Sequence, residues 1–575
     1  MNTTASAAPP APLARREITI LLAASALATV WLVAWALGTQ PTIGDEGAHY
    51  RRALSYYEEG WRIPYDPLYP PTRVGYVGYW DTCLWHLALA QLWRLTGGPG
   101  VVSAQVYHTS FYFLLGVFTY LAARRLYGPR GAAWAWALVL SVPTTVLSGM
   151  AFYTEVPMLA CAAMAFYFLL RRWAVPFGAA IGLACLMKLG SAAALAAPML
   201  AVAVVYLGDR WYERLVKLAM AALVVALLLG PEFAWQTEHF GRPLLRGSSR
   251  TEPIPKGVSD RMGKVLTPTS TSEIHGILDP LAAGQLLGAT GLAILPWALG
   301  LALVRLPTAA WAAARRLFGK GPEPEPRLKA ALVFGLPILA FLAAFFIFLR
   351  HAYNVRYLYP MVLPAALLVA GPLASIRLPL TRPRRFGWKQ VGAAALALAA
   401  AGQFLLAPPA VRGRRSLDPA IAEAFHWIAR NTPEHARIFY IEESLYTVTG
   451  RPIIWGAISP RTLFSADPEV QALLFLSADV RYIAVHPTRR MPTSSPDVIP
   501  PAYPQDWIAT LDGHFYLTKV YDRGNFLIYR IEYDRIPEEW KRLAQVRSAD
   551  PVVESISRYR AGDAPHPDPA PGAPE

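Results

Sequence analysis

The chain has 575 residues, of which 54% are hydrophobic and only 16% charged, with 18 Trp and 27 Tyr. A soluble protein carries about a quarter charged residues, so this deficit excludes an ordinary soluble fold and makes lipid the solvent for much of the chain. The net charge of +15 is distributed as a topology signal rather than a nucleic-acid-binding surface. Three cysteines, Cys83, Cys161 and Cys185, provide neither a disulfide framework nor a zinc spacing.

Residues 1–17 are Ala/Pro-rich and are predicted to be a disordered cytoplasmic segment, with Arg15-Arg16 just ahead of the first apolar run. That run is too long for a signal-peptide core and reads as a retained anchor. Further apolar runs give spans near 18–38, 101–122, 131–149, 156–170, 174–188, 191–207, 215–234, 282–304, 330–349, 357–376 and 390–407. These are about eleven stretches of bilayer-spanning character. Alternate connections carry Arg124-Arg125 with Arg130, Arg171-Arg172, Arg210 with Arg214 and Lys217, the stretch from Arg305 to Lys329, and that from Arg377 to Lys389. All five fall on one parity, which the positive-inside bias assigns to the cytoplasm. The outer side then receives loops 39–100 and 236–280, the Met150–Glu155, Lys188 and Arg350–Arg356 turns, and the C-terminal region.

The fold class expected is a polytopic α-helical membrane protein with a small extracytoplasmic α/β domain at its C-terminus. The membrane domain covers 18–410, the α/β domain 411–545, and a disordered Pro/Ala/Asp-rich tail 546–575. Within the first outer loop, Thr82–Thr96 reads as an interfacial helix with Trp85, His86, Trp93 and Arg94 along it. After Arg412–Arg415, which open the α/β domain, Leu417–Arg430 reads as an amphipathic helix capped by Ser416. Strands are expected at Arg437–Glu442, Pro452–Trp455 and Arg481–Val485. A hairpin over Phe515–Arg530 turns at Asp522-Arg523-Gly524-Asn525, and Asp467–Ala478 reads as a second helix.

Charged groups at the outer ends of the spans are the candidates for chemistry. Asp45 and Glu46 sit in Gly44-Asp45-Glu46-Gly47-Ala48-His49, a few residues beyond the first span. Such a pair is either a hydrated loop start or a functional site. The turns Phe152-Tyr153-Thr154-Glu155 and Leu186-Met187-Lys188-Leu189 each carry one ionisable residue among apolar neighbours, on the same side as Asp45. A lone charge at the end of a span ordinarily finds a partner or a substrate. Arg350, His351 and Arg356 lie together in a third outer turn. Arginines on that face run against the positive-inside bias, and a guanidinium offers paired donors suited to a phosphate; the alternative is snorkelling toward headgroups.

Together with Gly78-Tyr79-Trp80-Asp81 and Asn354-Val355-Arg356-Tyr357-Leu358-Tyr359-Pro360, these motifs resemble the GT-C superfamily of membrane glycosyltransferases over roughly the first 400 residues. The similarity is to its protein O-mannosyltransferase and bacterial aminoarabinose-transferase branch. The resemblance implies sugar transfer from a polyprenyl-phosphate-linked donor outside the cytoplasm, with the lipid bilayer as a partner and nucleic acid as none. It places the catalytic acid of the first outer loop on Asp45, its neighbour on Glu46 and the second acidic site on Glu155. Arg356 becomes a contact to the donor phosphate, supported by Lys188, Arg350 and His351. His49, Tyr50, Tyr79 and Tyr153 become substrate-binding residues, although the tyrosines equally suit an interfacial belt. Asp45, Glu46, His49 and Glu155 have ligand chemistry for a hard divalent cation; no catalytic metal and no other cofactor is expected in this branch.

Elementary chemistry supports the assignment. Glycosidic bond formation removes a proton from the attacking hydroxyl, and a carboxylate in a partly desolvated mouth is a strengthened base. A departing lipid phosphate needs fixed cations beside it. A flippase for a lipid-linked sugar would place ionisable groups in mid-membrane and repeat its two halves, whereas here the charges gather at one face and no halves repeat. A ligase or polymerase of surface polysaccharide, transferring a whole glycan, is the other alternative.

Overall fold

Apolar runs become helices because no open chain form can satisfy its own backbone in lipid. The computed structural model describes residues 14–39, 41, 46–60, 84–240, 280–318, 324–348, 355–376, 387–440, 444–453, 467–487 and 505–544. Helix α1 (Arg15–Ala36) is followed by two short helices, α2 (Glu46–Glu58) and α3 (Leu84–Thr96). Next come α4 (Val101–Ser141), α5 (Pro143–Met150), α6 (Glu155–Arg171), α7 (Ala174–Met187), α8 (Leu189–Tyr206) and α9 (Trp211–Phe240). The membrane part is completed by α10 (Pro280–Leu317), α11 (Pro326–Ala330), which passes through a π-turn into α12 (Leu336–Phe348), a 3₁₀ segment (Val355–Met361) leading into α13 (Val362–Ala374), and α14 (Trp388–Arg415).

All eleven apolar runs of the sequence fall largely on these helices. Seven helices among the described residues are long and apolar enough to cross a membrane alone, or eight if the bent pair α5–α6 is one span. The difference from eleven has local causes. Two expected runs share α4, which turns at Gly128 (φ +72) just before Pro129. Helices α5 and α6 meet at 113°. Helix α7 has 14 residues, short of the ~20 that span a bilayer core on their own.

The helix ends sort by charge. Glu155 and Arg171 are the first and last residues of α6, so a helix rise places them about 24 Å apart. At the Arg171 end, Asp209 accepts from both Arg172 and Arg316 at 2.8 Å. The guanidinium of Arg214 donates to the Gly208 and Asp209 carbonyls. Arg124 pairs with Glu17 in the first turn of α1. Arginines from separate connections thus collect with the start of the chain at one end of the bundle.

Helix α3 departs from the interfacial helix expected for it. Trp85, Leu89 and Trp93 have no exposed surface, because this face packs on α2 and the bundle; the Arg94 guanidinium donates to the Tyr56 carbonyl at 3.0 Å. The expected loop hid a second helix, α2, whose register gives α3 a protein surface to cover.

Arg412–Arg415 form the last turn of α14. The α/β domain then builds α15 (Pro419–Asn431), β1 (Arg437–Phe439), α16 (Ser444–Thr449), α17 (Pro468–Ser477), β2 (Val480–Val485), α18 (Gln505–Leu511), β3 (Leu517–Arg523), β4 (Phe526–Ile531) and α19 (Glu538–Ala544). The α15 cap is Asp418, whose carboxylate accepts from the Ala420 N–H at 2.8 Å. Ser416 instead terminates α14. The sheet order is β1-β2-β4-β3, with β1 and β2 parallel and the other two pairings antiparallel. Gly524 and Asn525 both take positive φ (57° and 62°), the backbone of a two-residue hairpin turn that matches strand twist. Around Pro452 only a bridge from Ile453 to Ile438 is present, and 454–466 lie outside the described residues.

Close helix contact in the membrane part rests on small residues. A Cβ added at Gly178 of α7 would collide with the Ala221 carbonyl of α9. We expect Gly178→Leu to force these helices apart and cost about 1–3 kcal/mol, read as a lower unfolding midpoint of the purified protein.

Candidate functional site

At the end of the bundle opposite the arginines, backbone breaks deliver isolated charges into apolar surroundings. Between α5 and α6 the chain is non-helical at Phe152 and Tyr153, which puts Glu155 in the first turn of α6, where the helix dipole favours a carboxylate. Lys188 is the extended corner (φ −158°, ψ 92°) joining α7 to α8. Its ammonium donates to Glu155 Oε1 at 2.8 Å, with the Glu155 side chain 3% exposed. The 3₁₀ segment Val355–Met361 packs on α5, α6 and α8, and its Tyr359 is fully buried. Three turns that are distant in sequence therefore meet.

The first outer loop joins the same region through a buried ion pair. Glu46, the first residue of α2, has no exposed surface and receives both Nε (3.2 Å) and Nη2 of Arg415. Arg415 is equally buried. It also donates to Thr39 Oγ1 at 3.0 Å, to Gln105 Oε1 at 3.2 Å and to the Met150 carbonyl at 2.7 Å, and its guanidinium lies 5.7 Å from the Phe152 ring centre. One side chain thus links the end of α1, the starts of α2 and α4, and the α5–α6 corner that carries Glu155.

Beside this pair, His49 Nδ1 lies 2.9 Å from His86 Nε2 with the rings stacked. One imidazole donates to the other, so the shared proton requires at least one of them to be neutral. Tyr50 stacks on Phe152 with ring centres 6.0 Å apart, and burial pushes its phenol above the ordinary range, which keeps it neutral. Tyr153 is buried. His108 Nε2 donates to the Ser148 carbonyl (2.7 Å), and the ring packs edge-on against Trp85 and Phe152.

Glu46, His49, Tyr50, Tyr153, Glu155 and Lys188 are thus described in full. Asp45, Tyr79, Arg350 and His351 lie outside the described residues, and of Arg356 the backbone alone is described, in the 3₁₀ segment. Among the described residues no group of three or more His, Cys, Asp or Glu side chains is arranged to hold a metal; Asp45, one of the four candidates for such a site, is not among them. Arg415, His86 and Gln105 are the site residues that reading the sequence overlooks. The signal for Arg415 was present. It is a basic residue at the outer end of a span, the criterion that singled out Arg350 and Arg356, but the neighbouring Arg412 and Arg414 gave it the look of a domain start.

Replacing Lys188 by Met would leave the Glu155 carboxylate in its apolar corner without its cation. We expect a loss of about 2–3 kcal/mol, the low side of the range for breaking a buried pair because Lys188 keeps some exposure. Denaturant or thermal unfolding would measure it, and the double variant Glu155→Gln/Lys188→Met should recover most of the loss.

No family model and no curated protein sequence matches the chain. Solved structures do. ArnT from Cupriavidus metallidurans bound to undecaprenyl phosphate aligns over 90% of this chain and 98% of its own, at 16% identity and a TM-score of 0.54. The apo form of that protein gives 15% identity, 91% and 99% coverage and a TM-score of 0.56. The archaeal oligosaccharyltransferase AglB from Archaeoglobus fulgidus, in complex with an inhibitory peptide and a dolichol-phosphate, aligns over 81% of this chain and 69% of its own, at 14% identity and a TM-score of 0.54. At such identities the likeness is one of architecture, and it covers 81–91% of this chain. The chain has the GT-C membrane fold.

Proposed function

We propose that this protein is an inverting glycosyltransferase that moves a sugar from a polyprenyl-phosphate-linked donor to an acceptor hydroxyl at the outer face of the cell membrane. The observation that carries the reading is the gathering of Glu46, Glu155 and Lys188, from three different connections, at one end of a bundle with the GT-C fold. The structures it resembles support a lipid-phosphate donor, since ArnT was captured with undecaprenyl phosphate and AglB with a dolichol-phosphate.

In this reading Asp45 is the general base. The acceptor oxygen attacks the anomeric carbon as Asp45 takes its proton. The bond from that carbon to the phosphate oxygen breaks, and its electron pair leaves with the polyprenyl phosphate. A single displacement inverts the anomeric centre. Arg356, with Lys188, Arg350 and His351, faces the charge growing on the phosphate, where donors fixed in a low-dielectric site stabilise most. Glu155 holds Lys188, Glu46 holds the first loop in register through Arg415, and His49, Tyr50, Tyr79 and Tyr153 border the sugar. The basic end of the bundle faces the cytoplasm with the N-terminus, and the α/β domain lies outside.

Purified protein incubated with radiolabelled polyprenyl-phosphate sugars should yield a labelled acceptor of inverted anomeric configuration. Asp45→Asn should lower kcat by about 10²–10⁴ with donor binding intact, whereas Arg356→Ala should chiefly raise the donor KM. Failure of every lipid-phosphate sugar to label a product, or full activity of Asp45→Asn, would count against the mechanism. A C-terminal alkaline phosphatase fusion should be active and a C-terminal green fluorescent protein fusion dark; the reverse pattern would refute the orientation.

A further inference from the structure

The first turn of α2 and the α5–α6 corner are tied together by one residue outside the Glu155–Lys188 pair. Arg415 closes the last turn of α14. From there it holds Glu46 at the head of α2 by two nitrogens and the α5–α6 corner through the Met150 carbonyl and the Phe152 ring. The same α2 is gripped a second time from the C-terminal domain. The Arg51 guanidinium donates to the Thr447 carbonyl at 3.1 Å and lies over the Tyr446 ring. Gly47 leaves room for the Thr447 side chain of α16, whose hydroxyl any Cβ there would meet. Ala48 is packed within the apolar core of the α/β domain. Helix α2 is therefore held between α14 on one side and the domain that α14 leads into on the other.

We propose that Arg415 is a positioning residue for the transfer site: it sets where α2 stands relative to the corner bearing Glu155, and so couples docking of the C-terminal domain to assembly of the acidic end. The proposal deepens the sugar-transfer reading and rests on it for its kinetic part alone. A fully buried guanidinium suits this task because its five donors have fixed directions. Glu46, Gln105 and two backbone segments can then be satisfied only when all of them are in register. Lysine offers a single charged point without that fork, so it keeps the charge and relaxes the geometry.

The test uses the full-length protein in nanodiscs, with spin labels at Glu58→Cys on α2 and Thr237→Cys on α9, both exposed positions, in a Cys83→Ser background. The Arg415→Gln variant should broaden the label-to-label distance distribution and lower kcat by about tenfold or more, with the donor KM within about twofold. Arg415→Lys, which keeps the charge without the fork, should leave the distribution broadened and kcat lowered; a narrow distribution with full kcat in that variant would refute the role given to the fork. A merely stabilising side chain would lower the yield of folded protein and leave both readouts unchanged in the folded fraction, and that result overturns the proposal. If Arg415→Gln does not fold, the charge-neutral pair Glu46→Gln/Arg415→Gln decides: a broadened distribution supports positioning, a narrow one refutes it. Should the wild type transfer no sugar from any lipid-phosphate donor, the functional reading fails, while the distance measurement still decides whether Arg415 positions α2.

Discussion

A guanidinium and a carboxylate with no exposed surface are costly to remove from water, and the cost is offset only when the pair is well formed and the remaining donors also find acceptors. Arg415 and Glu46 meet that condition with acceptors drawn from the end of α1, from α4 and from the α5–α6 corner. The consequence is cooperative. Separating any of these segments would strand a buried charge or donor, so the helix ends around Arg415 are fixed as a set rather than one by one. Apolar packing among lipid-exposed helices lacks this selectivity, because lipid tails compete with side chains for the same contacts.

The distribution of charge then gives the bundle a direction. Arg124, Arg172, Arg214 and Arg316 are satisfied at one end by Glu17, Asp209 and backbone carbonyls. At the other, Glu155 and Lys188 face each other from adjoining corners, with aromatic rings around them. Charges in such surroundings interact more strongly than they would in water, because little solvent screens them. At the basic end the described partners are the exposed Asp209, the part-buried Glu17 and backbone carbonyls.

The α/β domain contributes to that end directly. Its core extends onto α2 through Ala48, and Thr447 of α16 meets α2 twice, its side chain against Gly47 and its carbonyl at Arg51. The domain and the membrane helices share a helix that belongs to the first outer loop, so the region after the last span is part of the site's frame. Helix α3 follows the same logic. Its tryptophans, which suit a membrane interface, are buried because α2 supplies a protein surface to receive them.

By itself the sequence determined the membrane character, the helical runs, the parity of the basic connections, the hairpin at Gly524-Asn525 and the candidate turns at Glu155 and Lys188. These follow from local rules: the apolar length needed to span lipid, the side on which arginines stay, and the backbone that glycine and asparagine permit. Only the tertiary structure decided that Glu46 pairs with Arg415, 369 positions later, that His49 meets His86, and that the C-terminal domain is seated on α2. Such pairings depend on which faces of separate helices end up opposed. No local period or spacing encodes that choice, because many partners of opposite charge satisfy the same local rule and only the complete packing leaves room for one.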